Sequence, residues 1–119
     1  MFVTVTLRDE LQSDPENPIE VIIKDPIVEV IRGLVYITLV GAIEYDEKKV
    51  NEFLLRQLKL QKLMGKLVDS ANGILTGLGY SFEVDESEYG GIEEAYLTLD
   101  PDIFDVQMSE ELEEGMIAI

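Results

Sequence analysis

Between Asp46 and Leu78 the apolar residues return every three or four positions, whereas on both sides of that span they alternate every second one. This change of period constrains the fold more than any other feature. Side chains come back to one face after about 3.6 residues in a helix and about 2 in a strand. One long helix flanked by strands follows, and a chain of 119 residues has length for one such α+β domain and its core.

In the helical span Val50, Phe53, Leu54, Leu58, Leu60, Leu63, Met64, Leu67, Val68, Ala71, Leu75 and Leu78 fill an arc wider than half the circumference, with Arg56, Lys59, Lys62 and Lys66 opposite. Asn72-Gly73 is one stop signal, and Gly77 with Gly79 a later one. An arc that wide exceeds what one sheet covers. Either the helix is central to the fold, or its surplus face meets a second copy of the chain. Gln57 and Gln61 project near the middle of the arc, which is costly in a dry core and acceptable at a subunit contact. Phe53, Gln57, Gln61, Met64 and Val68 are therefore the candidate self-association residues of a homo-oligomer. A core helix with two hydrogen-bonded amides is the competing reading.

Phe2–Leu7 alternates as a half-buried strand, a loop with Pro15 and Pro18 follows, and Ile19–Lys24 reads as a second strand broken by Asp25-Pro26. The β-branched run that follows predicts a strand, a bend at Gly33 and a long buried strand from Leu34 to about Tyr45. Its alternative is a helix capped by Asp25 with Pro26 at the first turn. Tyr80–Asp85 and Ala95–Leu99 make a hairpin around Gly90-Gly91, and the chain turns at Asp100-Pro101. The expected architecture is an antiparallel sheet of N-terminal strands and C-terminal hairpin on one long amphipathic helix. Residues 1–108 form the domain, and 109–119 a short acidic tail or helix with an apolar end.

Charge is segregated along the chain. Residues 1–45 carry a net −5, residues 46–79 a net +2, and residues 80–119 thirteen acids and no base, which accounts for the total of −16. In one reading the acidic strands neutralise the basic helix stripe within the chain. In the other, Glu83, Asp85, Glu86, Glu88, Glu93, Glu94, Glu110, Glu111, Glu113 and Glu114 present themselves to a basic protein surface. A field of this sign disfavours direct contact with nucleic acid or an anionic membrane. Ser109 is a good N-cap for a docking helix over the following glutamates. Met116, Ile117 and Ile119 beyond it would gain by burial in a groove of the same domain, a neighbouring subunit or a partner.

Several chemistries are excluded. With neither Cys nor His there is no disulfide, no thiolate, no Ser-His-Asp triad and no ordinary zinc site. Asp85 as the first position of a calcium loop puts Gly90 correctly sixth but Tyr96 where the bidentate Glu belongs. Gly77-Leu78-Gly79 follows a helix and enters a strand, the reverse of a phosphate-cradling loop. No cofactor or metal is expected, and no catalytic residue is identified. The N-terminus lacks a basic leader, and the uncharged run Gly33–Ile43 falls short of the ~20 residues of a membrane span, so the sequence reads as cytoplasmic. The expectation is a non-catalytic acidic interaction and assembly module that self-associates and binds a basic protein surface. The alternatives are a small inhibitor, virus-encoded for instance, that mimics nucleic-acid charge, and a structural subunit of a larger particle.

Overall fold

In chain order the elements are β1 (Phe2–Leu7), a 3-10 turn at Asp9–Leu11, β2 (Val21–Lys24), β3 (Ile27–Ile31), β4 (Leu34–Val40), α1 (Glu47–Asp69), β5 (Tyr80–Glu86), β6 (Ile92–Leu99) and β7 (Phe104–Ser109). They are those of a computed structural model, which describes residues 1–41, 46–71, 79–86 and 92–119, with only the main chain of Glu86, Ile92 and Glu93.

Alternation in β1 buries Val3, Val5 and Leu7 on one side and turns Phe2, Thr4 and Thr6 to the other. β1 lies between β2 and β7 in a three-stranded antiparallel sheet, with Val3 opposite Ile23 and Leu7 opposite Phe104. The second sheet has the order β3-β4-β6-β5 and is also antiparallel. Its inner face carries Val35, Ile37 and Leu39 of β4 against Leu99, Leu97 and Ala95 of β6. The β3-β4 hairpin closes through Arg32 and Gly33, whose φ angles of 53° and 79° are both positive, as a tight two-residue hairpin turn needs.

The chain changes sheet twice. It leaves the first at Asp25, with φ 48°, followed by the buried Pro26. It returns through Asp100–Ile103, where Asp100 Oδ1 accepts a hydrogen bond from the Asp102 amide at 2.9 Å. Gly79 holds this corner by accepting from the Asp100 amide at 2.7 Å. At its φ of 61° a Cβ would overlap the Ile103 side chain, so only glycine fits.

Asp46 caps α1 by accepting from the amides of Lys48 and Lys49. Phe53, Gln57, Leu60, Met64 and Leu67 lie along one narrow face and are buried, and the helix touches β1 and β2 of one sheet and β6 of the other. A single contiguous core joins both sheets and the helix.

An α+β fold of antiparallel strands on one long helix is therefore what the chain adopts, with three differences from expectation. The strands divide into two sheets instead of one, because β1 pairs with β7 rather than with the hairpin. Residues 104–109, where the sequence reading has no strand between the turn at Asp100-Pro101 and the tail from 109, are a strand whose Phe104 is in the core. No helix forms in 109–119: Ser109 ends β7, and its Oγ accepts from the Glu111 amide and donates to the Glu111 carbonyl, closing a turn instead. The helical alternative for 27–45 gives way to strands over 27–40, while Tyr45 and the stop signals at 72–78 lie outside the described residues.

Candidate interaction surfaces

The inner partners of β5 are apolar, with Tyr80 opposite Leu99, Phe82 opposite Leu97 and Val84 opposite Ala95. The pleat therefore turns Glu83 and Asp85 to the outer face, where both are exposed. There Glu83 faces Tyr96 across the ladder and Asp85 faces Glu94 directly. Like charges in opposed positions weaken a strand pair. Part of that cost is offset because the Tyr96 hydroxyl donates to Glu94. Glu86 and Glu93 occupy β5 and β6 by their main chains alone, and Glu88 lies outside the described residues.

Glu110, Glu111, Glu113 and Glu114 are exposed and follow β7, the last strand of the other sheet. After β7 the chain crosses the outer side of the three-stranded sheet, where Leu112 and Met116 share a shallow cavity of about 270 Å³ with Phe2, Thr4 and Ile22. The ten carboxylates singled out from the sequence thus do not form one patch. Ile119 packs against the core and ties its main chain to β2, its amide donating to Ile22 and its carbonyl accepting from Lys24, each at 2.8 Å. Met116 is half-buried, but Ile117 is 88% exposed.

Where this last segment meets α1 there is a groove of about 700 Å³, lined by Leu55, Leu63 and residues 117–119 together with Arg56, Lys59, Lys62 and Lys66. Arg56 anchors it, donating to the main-chain oxygens of Lys24 and Ile119. Burial lowers the Arg56 pKa, and Asp25 nearby opposes that shift; a guanidinium stays protonated at neutral pH in either case. The groove was not foreseen, although Leu55 standing within the cationic stripe is a signal for it. Among the described residues the only ion pair is Met1 N to Asp25 Oδ1 at 2.7 Å. The acidic third does not neutralise Lys59, Lys62 and Lys66 by direct pairing there.

Of the helix residues named for self-association, Phe53, Gln57 and Met64 are covered by the sheets, Val68 is half-buried and Gln61 is exposed. The exposed leucines of α1 are Leu55 and Leu58, at 59% and 53%. Gln57 is 6% exposed, and its Oε1 has no hydrogen-bond partner among the described residues. Replacing an unsatisfied buried amide by an apolar group of similar size removes a desolvation penalty, so Gln57→Leu should raise stability by about 1–3 kcal/mol. Urea denaturation measures it, and a loss of stability would mean that the amide is satisfied.

No protein-family model, no curated protein and no solved structure matches this chain. No helix among the described residues is long and apolar enough to cross a membrane. What the chain does must be argued from its own surfaces.

Proposed function

We propose that this protein is a non-catalytic interaction and assembly module. The outer face of its four-stranded sheet binds a basic protein surface, and copies of the chain associate with one another. The observation that carries the reading is the placement of Asp85 opposite Glu94, with Glu83 on the same face and no cation paired to any of them among the described residues. An arrangement that costs strand stability is accounted for when an incoming Lys- or Arg-rich surface relieves it. The net charge of −16 would steer such a partner toward the sheet. With neither His nor Cys, any acid–base or nucleophilic chemistry would have to run on carboxylates, Tyr or Lys.

The test is affinity capture from cells of the source organism, identification of the partner, and measurement of its affinity for wild-type chain and for the triple variant Glu83→Lys, Asp85→Lys, Glu94→Lys. The substitutions reverse the sign of the opposed pair at 85 and 94 without removing it, so thermal stability should be little changed, and they should abolish binding. Wild-type affinity should fall steeply between ~50 and ~200 mM salt, as the screening length shortens. Unchanged affinity of the triple variant overturns the proposed face.

A further inference from the structure

The groove along α1 and the acidic segment beside it have opposite charge, and neither pairs with the other inside one chain. Among the described residues four cations line the groove against two acids, Glu20 and Glu52. Next to it, Glu110, Glu111, Glu113 and Glu114 are exposed. The two regions adjoin, since Glu20 borders both the groove and the cavity under the acidic segment, and Met116 of that cavity precedes Ile117 of the groove. At the junction Ile117, 88% exposed, is the least covered of the large apolar residues described.

We infer that two copies of this chain associate through this patch about a two-fold axis, each laying its Glu110–Glu114 segment along the other's Arg56, Lys59, Lys62 and Lys66, with Leu55 and Ile117 buried between them. The inference rests on the self-association reading above and names its surface. A contiguous patch with a positive half, a negative half and an apolar junction is complementary to itself when rotated by half a turn, which is the requirement for an isologous dimer. Arg56 to Lys66 spans about 15 Å of helix at about 1.5 Å per residue, and Glu110–Glu114, bent by the turns at Ser109–Glu111 and Glu113–Met116, covers less than the ~14 Å of an extended run of that length. Placing the contact here also uses apolar surface that the core leaves over, whereas Phe53 and Met64 are spent within the chain. Among the described residues the groove lining has no aromatic side chain on which a nucleic-acid base could stack.

Sedimentation velocity over a wide concentration range at physiological salt tests this with two charge-reversed proteins. One carries Lys59→Glu, Lys62→Glu and Lys66→Glu; the other carries Glu110→Lys, Glu111→Lys, Glu113→Lys and Glu114→Lys. All seven positions are exposed, so circular dichroism should report an intact fold for both. The wild type should dimerise with increasing concentration, and each variant alone should do so roughly tenfold more weakly or not at all. An equimolar mixture should recover a heterodimer, because each reversed groove then meets a reversed segment. Ile117→Ser should weaken the wild-type dimer comparably. A wild type that dimerises while both variants dimerise equally well overturns this surface and leaves self-association standing. Variants that fail to associate when mixed overturn it too. A wild type monomeric at every concentration removes self-association itself, and this inference with it, but not the binding of a basic partner by the four-stranded sheet.

Discussion

Phe104→Ala is expected to lower the unfolding free energy by about 3–5 kcal/mol, the usual cost of emptying a buried aromatic site. Phe104 is 1% exposed and opens β7 opposite Leu7 of β1. Its ring meets the edge of Tyr80 with centroids 6.1 Å apart and planes at 88°, a geometry that contributes beyond area alone. Because Tyr80 starts β5 of the four-stranded sheet, this one contact joins the two sheets at the corner where the chain crosses between them. Domains of this kind are stable by about 5–15 kcal/mol, so the loss would be a large share of the total. Thermal unfolding should move down by about 10–20 °C. A shift of only a degree or two would mean that residues 104–109 are not part of the core, and the two-sheet architecture would fail with them.

Met64→Ala is expected to cost about 2–5 kcal/mol, and the cost should be the same at every protein concentration. Met64 is 0% exposed, at the middle of the face of α1 that packs on both sheets. A side chain buried within one chain contributes to that chain's stability alone. A side chain buried between copies contributes through mass action, so its loss disappears on dilution. Urea melts of wild type and variant at widely separated concentrations distinguish the two cases. A destabilisation that vanishes on dilution would return this face to the subunit contact suggested by its amphipathic width, and would exclude its present place in the core.

Most of the local structure could be read from the residues. The period change at Asp46 gave α1, and the alternation in Phe2–Leu7 gave β1. The bend at Gly33 and the alternation on either side of Gly90-Gly91 gave the two hairpins, although Gly90 and Gly91 themselves lie outside the described residues. The second strand began later than Ile19, at Val21, because only from there does β2 pair with β1. β7 carried a signal of its own, since Phe104, Val106 and Met108 alternate with Asp105, Gln107 and Ser109. The acidic surroundings obscured it. The docking helix expected from Ser109 onward failed for the opposite reason: local preferences for a cap and early glutamates were real, but pairing of Ser109 with Phe2 took the residue into a sheet.

The candidate surfaces divided in the same way. That Glu83 and Asp85 share a face follows from the pleat and needs no tertiary information. That Asp85 meets Glu94, and that Glu110–Glu114 lie with a different sheet, depends on register and on strand partners far apart in the chain. The groove joins Leu55 of the helix to Ile117, and no pattern along the sequence links the two.

By itself the sequence determined the periods, the turns, the long helix, the segregation of charge and the absence of Cys and His, because each is set by neighbours a few residues apart or by composition. Only the tertiary structure decided that the strands form two sheets, that the helix face with Gln57 and Met64 is covered within the chain, and which acids stand together. Those outcomes depend on which distant segment lies opposite, and a residue's own period states the face it presents without stating what covers it.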